Sequence, residues 1–317
     1  MSSAKESQLA SAVLMIRPAG FESNPETAES NRFQGKTSAP PAEQQAAALE
    51  EFEALAVALE GCGISVLRFD DTTEPHTPDA IFPNNWVSFH ADGSVVLYPM
   101  EAPSRRLERR ADIIDSLVAD YGYTVRRVID LSHHEDAGHF LEGTGSMVLD
   151  RVNHIAYAGL STRTHLDPLG EFAQRMDYDI VVFDATDKSG TPIYHTNVLM
   201  NIGEELAVIC DEAISKDEQR TAVLERLTQT GHRILSLSFD QLESFAGNML
   251  ELKSESGDRI IAMSAHACQA LSDSQREIIG ENTTILSAAI DNIERSAGGS
   301  VRCMLAEVHL PLAGSAG

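Results

Sequence analysis

Gly143-Thr144-Gly145-Ser146-Met147-Val148-Leu149, followed by His154 to Leu160, is a small polar loop that runs into an apolar strand, a turn and a second apolar strand. The same arrangement recurs through the chain. It appears as Pro83 to Phe89 with Ser94 to Tyr98, as His195 to Met200 with Leu206 to Cys210, and as Gly247 to Leu252 with Arg259 to Ser264. A fifth copy begins at Gly298 and contains Cys303. Between the hairpins, helical composition covers Ser104 to Tyr121, His165 to Met176, Lys216 to Gly231 and Asp273 to Gly280, and strands follow at Thr124 to Leu131, Ile180 to Phe183 and Arg233 to Ser238. Units recurring at roughly 50 to 60 residues predict an α/β array of sheet-and-helix blades closed on itself. The last unit lacks a strand, and the apolar run Ala12 to Arg17 is placed to supply it. Equivalent loops would then face one central cavity.

Other stretches fit this plan. Phe21 to Ala39 has no period and reads either as a substrate loop or as a plain surface connection. Ala42 to Leu59 reads as a helix after Pro40-Pro41, ended by Gly61-Cys62-Gly63, and Ile64 to Phe69 as a strand. The 24 basic and 48 acidic residues, net charge -24, argue against nucleic acid and anionic membrane as partners and favour a neutral or cationic small molecule. Cys62, Cys210, Cys268 and Cys303 form no CxxC pair, so neither a zinc cluster nor a disulfide framework is expected. Met1 to Gln8 has no apolar core of a signal peptide, which with the cysteine usage predicts a cytoplasmic protein.

The loops collect chemistry. They hold Asp79, Asn84 and Asn85, then Glu142, His195 and Asn197, Asn248, and Cys303. A thiol, an imidazole and two carboxylates are the parts of a covalent hydrolase. Arg302 and the glycines before it are placed to lower the thiol's pKa, although locally Cys303 also suits a buried strand, His195 a turn and Glu142 a cap. Arg105 and Arg106 are candidates for a substrate carboxylate, with ordinary ion pairs to Glu101 or Glu108 as the competing reading. His133-His134-Glu135-Asp136 with His139 matches no standard zinc spacing and reads as an exposed polar loop.

Pro78 to Trp86, Phe140 to Met147, His195 to Met200 and Gly298 to Met304 resemble, in order, the signature loops of the guanidine-modifying (amidinotransferase) superfamily. That family includes arginine deiminases, dimethylarginine dimethylaminohydrolases, agmatine deiminases and amidinotransferases. The resemblance implies a five-bladed α/β propeller, the pentein fold, with pseudo-fivefold symmetry about an active-site cavity. Residues 1–317 would be one catalytic domain with flexible ends at 1–10 and 312–317. Ile16-Arg17-Pro18, Phe21, Asn24, Thr27, Asn31, Phe33 and Gln34 are similar to the citrulline hydrolase (citrulline ureidase) branch.

By this resemblance Cys303 is the nucleophile, His195 the acid/base, Glu142 the carboxylate that orients it, and Asp79 the substrate-gripping carboxylate. Asn84, Asn85, Asn197, Arg302, Arg105 and Arg106 complete the expected substrate contacts, without metal or organic cofactor. Where deiminases often carry acids, this chain has Asn85 and Asn197. An amide offers a donor and no charge, which suits a neutral ureido group better than a guanidinium. The expected reaction is citrulline to ornithine, ammonia and carbon dioxide. Hydrolysis of arginine or dimethylarginine is the first alternative, and amidino transfer or simple binding stand behind it. A homo-oligomer is compatible with this reading.

Overall fold

The computed structural model describes residues 6–28, 30–35 and 39–314. Its strands form five three-stranded sheets. They are β1 (Ala12–Arg17), β2 (Ser65–Asp70), β3 (Val87–Phe89), β4 (Ser94–Leu97), β5 (Arg127–Asp130), β6 (Val148–Asp150), β7 (Ile155–Gly159) and β8 (Asp179–Phe183). The others are β9 (Met200–Ile202), β10 (Leu206–Ile209), β11 (Arg233–Ser236), β12 (Leu250–Lys253), β13 (Arg259–Ser264), β14 (Thr284–Ala288) and β15 (Ala306–Glu307). In every sheet an antiparallel pair is extended by a parallel third strand: β6 pairs with β7 through Val148↔Tyr157, and β7 with β8 through Tyr157↔Val181. A parallel neighbour requires a crossover. The crossovers carry α1 (Pro41–Gly61), α2 (Ala111–Ala119), α3 (Leu166–Met176), α4 (Asp217–Gln229) and α5 (Asp273–Gly280).

The two ends of the chain meet in one sheet, ordered β15-β1-β2, where Val13 pairs with Glu307 and Val66. Thus β1 supplies the strand that the last unit lacks. In α1, Ala48, Phe52, Leu55, Ala56 and Leu59 recur at helical spacing and are buried against the sheets, each large side chain contributing about 1.5 to 3 kcal/mol.

Two expectations change. The single helix over Ser104 to Tyr121 divides into a turn at Pro103–Arg106 and α2, with Arg110 extended between them. The break lets Arg105 and Glu108 face inward while Arg109 reaches Glu135 and Arg110 reaches Asp112. The loops of units two and three coil into helical turns, Gly143–Ser146 and Thr196–Leu199, so that β9 starts only at Met200. Thr196 causes part of this, since its hydroxyl donates to Ser146 O at 2.6 Å and accepts from Gly159 N at 2.8 Å. Within the described residues, both ends make contacts with the body of the fold. Gln8 donates to Leu149 O and Ile202 O, each at 3.0 Å, Leu9 and Ala10 are buried, and Ala313 N donates to Gly122 O. Residues 1–5 and 315–317 of the expected flexible ends lie outside the described residues.

Candidate active site

Short turns ahead of the first strands bring the loop residues to a common cavity. Asp79, Asn85, Arg105, Arg163, His195 and Cys303 line it, with Thr27, Asn31, Phe82 and Tyr194 as walls. Cys303 sits in a helical turn, Val301–Met304, and is 3% exposed. The approach to that turn needs glycine at Gly298, where φ is +66° and an added Cβ would collide with the backbone of Phe33 and Gln34. The segment around Asn31, Phe33 and Gln34 therefore packs directly on the cysteine turn. Asn31 Nδ2 donates to Ala297 O at 2.8 Å, and the Tyr194 hydroxyl donates to Gly298 O at 2.7 Å.

Two amides face the thiol. Asn248 Nδ2 lies 3.4 Å and Asn197 Nδ2 3.6 Å from Cys303 Sγ. Asn248 is held by Arg302 N, which donates to its Oδ1 at 3.1 Å, and by its own donation to Asn197 O at 2.9 Å.

His195 donates from Nε2 to Glu142 Oε2 at 2.8 Å. Burial pushes its pKa down to about 4, and Glu142 only partly offsets this. Burial also opposes ionisation of Glu142, but Arg163, the His195 hydrogen bond and Arg105 outweigh it and hold the carboxyl well below its usual range. At neutral pH the pair is therefore a carboxylate and a neutral imidazole, with the proton on Nε2 and Nδ1 left as an acceptor. Asp79 accepts from Asn24 Nδ2 at 2.8 Å, and its pKa is raised by burial against the pull of Arg105.

Arg105 is buried and fully engaged. Its Nε and Nη2 each donate to Glu108 at 2.9 Å, Nη1 donates to Asn85 Oδ1 at 2.8 Å, and Nη2 also reaches Phe82 O at 3.3 Å. The ion pair with Glu108 and the place on the cavity wall thus coexist.

Four expected contacts, Arg302, Arg106, Asn84 and Asn197, are not on the cavity wall. Arg302 spends its guanidinium on Leu305 O at 2.8 Å and Glu307 at 2.7 Å, so only its backbone N–H serves the cysteine loop. Arg106 donates to Met100 O and Glu101 O, because successive residues of a turn point in different directions. Asn84 is wholly buried and bonds Thr144 across to the next loop. Asn197 stands behind the thiol. The His133 to His139 loop is engaged elsewhere, His133 and His134 with Glu171 and His139 with Asp167. Those groups, the second joined by His165, have the geometry to hold a metal ion away from the cavity.

Arg163 joins the site without being among the residues expected from the sequence. It donates to Glu142 Oε2 at 3.4 Å and to Ser30 Oγ at 2.6 Å, and stacks over Tyr194 at 4.9 Å. Its signal was positional: like Arg105, it follows the second hairpin strand of its unit and precedes the crossover helix.

A family model described as N,N dimethylarginine dimethylhydrolase, eukaryotic, matches residues 17–310. No curated protein matches significantly. Among solved structures, the N-terminal domain of ArgZ, a cyanobacterial arginine dihydrolase, in a cysteine-to-serine mutant bound to substrate, superposes with a TM-score of 0.72 and 18% identity. That match covers 94% of this chain and 97% of the other. AgrE complexed with L-arginine gives 0.73 and 18%, covering 96% and 41%. A dimethylarginine dimethylaminohydrolase adduct with S-methyl-L-thiocitrulline gives 0.64 and 18%, covering 94% and 99%. The chain spans 41% of full-length ArgZ. At these identities the likeness is one of fold.

Proposed function

Because the chain belongs to the N,N dimethylarginine dimethylhydrolase family of pentein guanidine-modifying hydrolases, we propose that it hydrolyses a C–N bond of an amino acid's terminal ureido group, citrulline being the substrate. The observation that carries this reading is the Cys303 thiol on the wall of a cavity shared with a Glu142-linked His195, its sulfur backed by two neutral amides. The supporting frame is five three-stranded sheets with the chain ends joined in one of them, which we read as one domain, a closed five-bladed propeller. No described helix is long and apolar enough to cross a membrane, and the four cysteines are unpaired, in keeping with a cytoplasmic site of action.

In the proposed reaction Cys303 passes its proton to His195 Nδ1 and its sulfur attacks the ureido carbon. His195 then protonates the departing ornithine nitrogen, leaving a thiocarbamate on the cysteine. Water, deprotonated by the same imidazole, releases carbamic acid, which decomposes to ammonia and carbon dioxide. Glu142 holds the imidazole in the required tautomer and stabilises its charged form. Arg163 supplies positive charge for the substrate carboxylate, and Asp79 negative charge for its ammonium group. Asn85 contributes a donor, since its Oδ1 is taken by Arg105 and its Nδ2 has no protein partner. A carbonyl oxygen satisfies that donor, whereas a guanidinium does not.

Hydrolysis of a guanidino amino acid is the second reading, favoured by the family model and the Asp79 carboxylate on the wall. Purified protein and Cys303→Ala should be offered citrulline, arginine and dimethylarginine separately, with ornithine, citrulline and ammonia quantified. Ornithine from citrulline, lost in the variant, supports the first reading. Turnover of arginine or dimethylarginine with citrulline untouched overturns it.

A further inference from the structure

Glu108 is a buried carboxylate, 4% exposed, for which the proposed chemistry has no use. It lies behind the cavity wall, one turn after Arg105. Both its oxygens accept from Arg105, at 2.9 Å each, and this parallel pairing fixes the plane of the guanidinium. The remaining nitrogen, Nη1, is thereby aimed between Asn85 and Glu142: it donates to Asn85 Oδ1 at 2.8 Å and lies 3.7 Å from Glu142 Oε2. Asn85 is itself 2% exposed, lines the cavity, and leaves its Nδ2 without a protein partner.

An amide can flip and exchange its donor and acceptor ends. Here a flip would set the Asn85 NH2 against the guanidinium, donor against donor. We infer that Glu108 is a positioning residue that acts through Arg105 to hold the Asn85 amide with its NH2 toward the substrate, selecting a carbonyl oxygen there. This rests on the ureido reading of the cavity. An ionised carboxylate accepts at both oxygens, while a protonated one turns an O–H toward Arg105 and breaks the parallel pair. Burial, against the attraction of Arg105, pushes the Glu108 pKa up to about 7, so the switch falls in an accessible range.

The test uses Glu108→Gln, which keeps the shape and loses one acceptor, and Glu108→Asp, a second variant that retains the charge on a shorter arm. In a crystal structure of Glu108→Gln the Arg105 Nη1 to Asn85 distance should lengthen beyond hydrogen-bond reach. Citrulline kcat/KM should fall at least ~10-fold, with the rate of Cys303 alkylation by iodoacetamide within about twofold of wild type. Glu108→Asp should recover part of the loss. Wild-type kcat/KM should decline as pH drops through about 7, and Glu108→Gln should lack that step. An Arg105 to Asn85 contact that stays intact in Glu108→Gln, or a parallel loss of alkylation and turnover, overturns the inference. If wild type leaves citrulline untouched, the substrate assignment fails, while the Arg105 to Asn85 distance still decides the role of Glu108.

Discussion

Gly145 tests whether the cavity depends on the close approach of one backbone to two side chains. A Cβ placed there would lie 2.8 Å from both Cε1 and Nδ1 of His195, and closer still to Nδ2 of Asn85. Ordinary contact begins at 3.4 Å, so Gly145→Ala must move the imidazole by about 0.6 Å or displace the turn. Displacements approaching 1 Å at a reacting group cost about 100-fold in rate, or about 2.7 kcal/mol of barrier. Backbone strain adds nothing, because Gly145 is not among the residues of positive φ and alanine suits a helical turn. We therefore expect Gly145→Ala to lower citrulline kcat/KM by roughly 30- to 100-fold, with the larger share in kcat, while far-UV circular dichroism stays at the wild-type signal. Gly170→Ala is the control. Its Cβ meets nothing within 4 Å inside α3, so it should stabilise by up to about 1 kcal/mol and leave turnover unchanged. A Gly145→Ala enzyme with wild-type kcat/KM would refute the packing argument.

Asn85→Asp converts the contact to Arg105 into an ion pair and presents an acceptor where a ureido oxygen should sit; citrulline kcat/KM should fall ~100-fold and the ratio of arginine to citrulline turnover should rise, as read by competing-substrate product analysis. Arg163→Gln removes the cation that holds Glu142 ionised, and kcat/KM should drop by at least ~100-fold; wild-type kinetics in that variant would show that Arg105 alone suffices. For Glu108, a folded-state pKa of about 7 against an ordinary 4.5 means that the unfolded chain ionises first as pH rises. Wild type should lose stability relative to Glu108→Gln between those values, by up to about 3 kcal/mol, read as pH-dependent urea midpoints. A difference independent of pH would show that Glu108 is ionised throughout.

Much of this was legible in the residues. The recurring loop-hairpin-helix pattern located the strands, and the apolar Ala12 to Arg17 run was recognisable as a strand missing from the last unit. It was legible because alternation and helical spacing are local properties of a chain. Cys303, His195, Glu142, Asp79 and Asn85 could be named because they occupy corresponding places in successive units. Arg163 escaped because a single arginine after a strand has no local distinction; its role depends on Glu142 and Ser30, far from it in sequence.

The directions of long side chains were out of reach for the same reason. Arg302 adjoins Cys303 in sequence, yet Glu307 and Leu305 O claim its guanidinium, and the thiol receives its amides from Asn197 and Asn248 instead. The sequence by itself determined the repeating α/β units and the set of reactive groups, because both are written in residue type and spacing. Only the tertiary structure decided which cations face the cavity, that the Asn85 Nδ2 is left without a protein partner, and that burial holds His195 neutral beside an ionised Glu142. Those outcomes arise from burial and from partners that folding brings together across many residues.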